Sequence, residues 1–376
     1  MRYLSGHISD DLNKKMVFLA GPRQVGKTTF ALSFLGPRST ETHPAYLNWD
    51  QVGIRKSLIR GQLPPNQELV ILDEIHKYRE WKNLIKGMYD TEKSSRRFLV
   101  TGSAMLNIYR RGQDSLLGRY HYYRLHPFTY LEATEKLNLG IEDLLKFGGF
   151  PEPLTSGSER AWRRWSKERI ERIVYEDIRD LESVKTLEQI ELLSEELPRR
   201  VGSPLSVKSL AEDLQRAPAT LENWVTILER VFYCYRIAPF GAPKIRAVKK
   251  EKKLYLWDWS TIEETGFRFE NMVASHLLKY CHFLEDTEGY PMELRYLRDT
   301  DGREIDFVVL KNKKPLFAVE CKSGEKQLSP RIAYFKNRTP IPRFYQVHLG
   351  KAHYGNAETT GELLPFSEFC RKLKIP

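Results

Sequence analysis

Eight consecutive residues, Gly21-Pro22-Arg23-Gln24-Val25-Gly26-Lys27-Thr28, have the types and spacing needed to cradle a chain of phosphates. They fit G-x-x-x-x-G-K-[ST], in which a glycine-bearing turn aims backbone N–H groups at an anion. The Lys27 ammonium would reach the outer phosphates, the Thr28 hydroxyl would bind the accompanying Mg²⁺, and Thr29 closes the set. A second group, Asp73-Glu74, puts two carboxylates at the end of the apolar run Leu69-Val70-Ile71-Leu72. Beside a phosphate loop, Asp73 would hold Mg²⁺ through water and Glu74 would polarise the attacking water. A third group is Glu270, Asp306, Glu320 and Lys322. Asp306 and Glu320-x-Lys322 offer two carboxylates for a Mg²⁺ ion, and a lysine to orient water or offset charge on a phosphate ester. Glu270 would add a third carboxylate.

These side chains need particular elements to aim them. The apolar run Met16-Val17-Phe18-Leu19-Ala20 reads as a strand feeding the loop, and residues 29–35 read as the start of a helix. Residues 45–48 form a short strand, and residues 68–74 a buried parallel strand that delivers its acids to the C-terminal edge of a sheet. Residues 98–103 form the next strand, whose polar tip, Thr101 or Ser103, is a candidate sensor of the outermost phosphate. Residues 121–125 form a fifth strand, ended by Pro127.

One strand between the phosphate loop and the acidic strand, with Glu directly after Asp, resembles AAA-type P-loop ATPases. The set Gly21–Thr29, Leu72-Asp73-Glu74-Ile75-His76, Leu99-Val100-Thr101-Gly102-Ser103-Ala104, Leu117-Gly118-Arg119 and Phe147-Gly148-Gly149-Phe150-Pro151-Glu152-Pro153 sharpens this. It is similar to one prokaryotic family of such ATPases. Members carry a C-terminal domain of unknown function with a winged helix and a restriction-endonuclease-like fold. The resemblance covers nearly the whole chain. It implies an α/β fold: a parallel P-loop sheet with a helical lid, a winged-helix module and a nuclease-like α/β domain. It also implies ATP and Mg²⁺ as cofactors, and makes Arg119 a candidate charge-stabilising arginine, in cis or on a neighbouring copy in a homo-oligomer. Arg110 and Arg111 compete for that role. The boundaries expected are 1–130 for the ATPase core, 131–185 for the lid, 186–262 for the winged helix and 263–376 for the nuclease-like domain.

Downstream, residues 141–145 and 159–181 read as helices; Trp162 and Trp165 are core, and the arginines and lysines between 160 and 172 form a solvated face. Residues 207–214 and 219–231 are two helices joined by a tight turn, followed by a strand at 232–237, which is a helix-turn-helix leading into a wing. Residues 244–253, rich in lysine, would be the wing's phosphate-contacting tip. Glu222 and Glu229 on the second helix oppose deep groove reading. Glu270 lies on a helix at 267–280, and residues 304–310 and 316–322 form a hairpin. Strand alternation puts Glu320 and Lys322 on one face and Cys321 on the other.

The chain has 376 residues, 41% of them hydrophobic and 29% charged, as in globular proteins of two or three domains. Its net charge of +11 favours a polyanion, with DNA ahead of RNA. Four scattered cysteines form no C-x-x-C pair, which fits a reducing cytoplasm. No apolar run is long enough to span a bilayer, so no membrane is expected. The reading that unites these parts is an ATP-regulated, Mg²⁺-dependent DNA nuclease. The alternative is a nucleotide-switched DNA-binding regulator whose nuclease fold is silent.

Overall fold

The computed structural model describes residues 2–102, 116–179, 186–241 and 251–376. These form two compact units. One comprises Met1–Pro127, Glu171–Leu187 and Arg230–Phe232; the other comprises Phe128–Ile170, Glu188–Glu229 and Tyr233–Pro376.

The first unit is built on strands β1 (Met16–Ala20), β2 (Tyr46–Asn48), β3 (Leu69–Asp73), β4 (Arg97–Thr101) and β5 (Tyr120–Arg124). All pair in parallel in the order β2-β3-β4-β1-β5. Every residue of β1 is buried, as a strand covered on both faces requires. Phe18, Leu47, Val70, Leu72, Phe98 and Val100 pack with Trp81 and Ile85 of the helix Trp81–Glu92. Each such buried side chain contributes about 1.5–3 kcal/mol relative to exposure. Parallel pairing puts the C-terminal ends of β1, β3 and β4 at one edge, so the loop after Ala20, Asp73 and Thr101 meet there.

The second unit holds an eight-stranded mixed sheet. Its strands are β6 (Cys234–Pro239), β7 (Lys253–Leu256), β8 (Met292–Arg298), β9 (Glu304–Lys311), β10 (Lys314–Lys322), β11 (Phe344–His348), β12 (Tyr354–Asn356) and β13 (Gly361–Pro365). Their order is β12-β13-β11-β10-β9-β8-β6-β7. The strand expected at the foot of the wing, β6, pairs antiparallel with β7 and also parallel with β8, so it is part of this sheet. The helices Val207–Asp213 and Pro218–Arg230 precede it, and the Ser206 hydroxyl caps the first by accepting from Ser209 N–H. The helix bearing Glu270 runs from Thr265 to Glu288, longer than expected at both ends. The Glu264 carboxylate starts it by accepting from Gly266 and Phe267 N–H, and Gly289 ends it at φ 73°.

Two sequence expectations need correction. Lys253 does not belong to a solvent-facing wing tip; it lies within β7 and is 1% exposed. Of the rest of the tip, Glu251 and Lys252 are exposed, and residues 244–250 lie outside the described residues. Glu222 and Glu229 both accept from the Arg236 guanidinium of β6, at 2.7 and 2.8–3.0 Å. Arg169 is not on the solvated face. It is buried, its guanidinium 4.4 Å from the centroid of the Phe150 ring.

Candidate functional site

The phosphate loop follows β1. Gly21 has φ 155°, and a Cβ there would meet Leu125 O at 2.4 Å, so only glycine lets the loop pass the end of β5. Gly26, at φ 90°, starts the helix Lys27–Leu32 in the left-handed region. Lys27 is buried and donates from Nζ to Gly21 O at 2.9 Å and Pro22 O at 2.8 Å, closing the loop on itself. Burial pulls its pKa down, against the opposing effect of Glu74 and Asp73.

Thr28 Oγ1 donates to Asp73 Oδ2 at 3.0 Å. Tyr46 OH donates to the same oxygen at 2.6 Å, and Thr101 Oγ1 donates to Asp73 Oδ1. Thr28 and Asp73 thus form an all-oxygen pair that suits Mg²⁺, with Asp73 oriented by hydroxyls from two neighbouring strands. Glu74 follows in the left-handed region at φ 56°, and its carboxyl is pushed up to about 7, first by burial and then by Asp73. Ser103, Arg110 and Arg111 lie outside the described residues. Arg119 does not join the group. Its carbonyl accepts from Met16 N–H at the start of β1, the opposite end from the loop, and its guanidinium grips Asp90 at 2.9 and 3.0 Å.

Sequence reading missed two carboxylates at this site. Arg23 of the loop donates to Asp177 at 2.8 Å and to Glu176. Both lie on a π-helical turn, Ile173–Ile178, that ends the long helix Glu159–Arg172. Such turns insert an extra residue and recur at functional sites. Asp177 is close enough to Lys27 and Glu74 to bear on the titration of both. The signal was present as Glu176-Asp177 in a helix, but nothing local ties them to a loop more than 150 residues earlier.

In the second unit, β9 and β10 run antiparallel with Val308 opposite Ala318 and Phe307 opposite Val319; one step further sets Asp306 opposite Glu320. Cys321 N–H donates to Asp306 Oδ2 at 2.7 Å. Lys322 Nζ donates to Glu320 Oε1 at 2.6 Å, and Arg331 lies 3.8 Å from that oxygen. Glu320 Oε2 is buried without a hydrogen-bond partner. A buried carboxylate oxygen left without a donor is costly, and a cation would relieve it. Burial first, then Asp306, raises the Glu320 carboxyl. Asp306 and Glu320 therefore fit one divalent ion. Glu270 has protein partners of its own: Tyr255 OH donates to Glu270 Oε1 at 2.8 Å and Lys253 Nζ lies 3.5 Å from that oxygen, while burial and then Asp306 push its carboxyl up. Among the described residues, no three His, Cys, Asp or Glu side chains are gathered to hold a metal ion. All four cysteines are free.

The parallel sheet, glycine-framed loop and buried Asp-Glu edge make the first unit a P-loop ATPase domain of the AAA type. Residues 13–134 match the family described as an AAA domain. Residues 138–263 and 265–369 match two families each described as a domain of unknown function, DUF8612 and DUF4143. An uncharacterized protein of Methanocaldococcus jannaschii is 24% identical, covering 85% of this chain and 78% of its own. A second from the same archaeon is 21% identical, covering 81% and 74%. Among solved structures, the RuvB Holliday junction branch migration motor of Thermotoga maritima aligns at 19% identity and a TM-score of 0.29, covering 62% of this chain and 87% of that one. Among the described residues, no helix is long and apolar enough to cross a membrane.

Proposed function

We propose that this chain hydrolyses ATP and uses it to regulate a Mg²⁺-dependent DNA nuclease in its second unit. The observation that carries the reading is the buried, donorless Glu320 Oε2, opposite Asp306 and beside Lys322, in a chain that also holds a complete phosphate loop. ATP would lay its phosphates along residues 21–29, with Thr28 and Asp73 holding Mg²⁺. Bound Mg²⁺ supplies positive charge against the phosphate oxygens at each site. Lys27 would exchange its loop carbonyls for phosphate oxygens, and Glu74 would position and deprotonate water. Thr101, tied to Asp73, or Ser103 would be the sensor of the outer phosphate. Arg119, turned from its own loop, would serve a neighbouring copy in a homo-oligomer. In the second unit Lys322 would orient water against a phosphodiester.

The net charge of +11 supports a nucleic-acid partner, and the helix pair ahead of β6 with the lysine-rich residues 244–252 supports a winged helix gripping phosphates. A reducing cytoplasm suits the four free thiols. The test is to incubate the full chain with supercoiled, linear and single-stranded DNA, with Mg²⁺ or Mn²⁺, with and without ATP. Cleavage that Lys322→Ala abolishes supports the reading; equal inactivity of both proteins sinks it. In that case the second reading stands, a nucleotide-switched DNA-binding protein with a silent nuclease fold. That no three-carboxylate group is gathered among the described residues favours it.

A further inference from the structure

We propose that Lys253 is a built-in cation of the second site: with Tyr255 it holds Glu270, so that the site takes a single divalent ion on Asp306 and Glu320. The proposal rests on the nuclease reading and adds a residue to it. Alternation along β7 puts Lys253 and Tyr255 on one face of the strand, and both are buried. The Lys253 ammonium lies against the Glu304 carboxylate, 3.5 Å from Glu270 Oε1 and 5.5 Å from the centroid of the Tyr296 ring. Glu304 and Asp306 alternate on β9, so the ammonium sits at one end of a row of carboxylates and Glu320 at the other.

The two ends differ in what remains to be satisfied. At the Lys253 end, Glu270 Oε1 already faces a phenol and an ammonium, and Glu304 faces the ammonium as well. A divalent ion entering there would have to expel a buried ammonium and leave it without its carboxylates, which is strongly unfavourable. At the other end, Glu320 Oε2 has no donor at all. Asp306 is pinned beside it by Cys321 N–H at 2.7 Å. Mg²⁺ bound by one or two carboxylates keeps several waters, so two carboxylates are enough. Lys253 thus supplies at Glu270 the positive charge that a second ion would otherwise bring. It is a positioning residue, acting through Glu270 and Glu304.

The test counts ions. Mn²⁺ is titrated into the nucleotide-free full chain and read by electron paramagnetic resonance and calorimetry. One ion is expected that Asp306→Asn and Glu320→Gln each weaken by about a hundredfold or more, while Glu270→Gln weakens it by less than about tenfold. Lys253→Met, close in length but uncharged, is expected to admit a second ion. Glu270→Gln, which keeps an acceptor for Tyr255, serves if Lys253→Met does not fold. The proposal is overturned if wild type binds two ions that depend on Asp306, if Glu270→Gln weakens the ion as much as Asp306→Asn, or if folded Lys253→Met still takes one. Wild type with no Asp306-dependent ion overturns the nuclease reading itself, and this proposal with it.

Discussion

At the scale of single residues, burial decides which groups can change their protonation. Glu74 ends a buried strand with its carboxyl pushed up to about 7, a value suited to a base that must take a proton from water near neutrality. Glu74→Gln is expected to keep ATP binding, read by calorimetry, while phosphate release falls by about 10²–10⁴-fold. Retained turnover would remove Glu74 as the base. Lys27→Ala is expected to lose both. His276 makes the opposite case. It is fully enclosed, Nε2 accepting from Tyr130 N–H at 2.8 Å and Nδ1 donating to Met272 O at 2.7 Å, and burial pulls its pKa to about 3. The unfolded chain takes up a proton at this histidine near pH 6.5, and the folded chain does not. Stability is therefore full above that value and falls as acid is added, by about 1.4 kcal/mol at pH 5.5. Thermal melts at pH 7.5 and 5.5 should show this loss, and His276→Gln should shrink it. Lys27, Thr28 and Asp73 could be read from sequence because their chemistry is written in short patterns. Tyr46, Asp177 and Lys253 could not, since each gains its role from a partner that only folding brings near.

At the scale of elements, the first sheet was legible because a buried parallel strand advertises itself as an unbroken apolar run. β1 and β3 are such runs, and both end in the residues that carry chemistry. The fate of β6 was not legible. Its pairing with β8 is parallel and non-local, and no nearby pattern distinguishes a strand of a small hairpin from one that extends a larger sheet. Lys253 was misread for a related reason: it closes a run of lysines, yet alternation with Tyr255 already marked it as a residue of a strand face. The joint between loop and sheet is the element most sensitive to a small change. Gly21→Ala would bring a methyl to 2.4 Å from the Leu125 carbonyl oxygen, a backbone atom that cannot turn aside. The variant is expected to lose ATP binding while the helix Thr265–Glu288 in the other unit keeps its hydrogen-exchange protection. Unaltered ATP affinity would show that the loop tolerates a shift of β5.

At the scale of the whole molecule, the question is how ATP held by the first unit could influence the second. The chain passes from the first unit to the second at residue 128, returns at residues 171–187 and leaves again. The returning segment carries Glu176 and Asp177, the two carboxylates held by Arg23 of the phosphate loop. If bound phosphates draw on Arg23, they compete with these two acids, so the ion pairs would oppose binding and binding would loosen the segment. A ligand shifts such an equilibrium only by its differential affinity for the two arrangements. The double substitution Glu176→Gln with Asp177→Asn removes the competition. It is expected to tighten ATP binding about fivefold, the equivalent of about 1 kcal/mol. Because Arg23 then has neither ion pair to release, ATP should no longer alter DNA binding or cleavage by this variant, where the proposed function expects wild type to respond. An ATP affinity equal to wild type, together with an intact response to ATP, would mean that the signal leaves the first unit by another route.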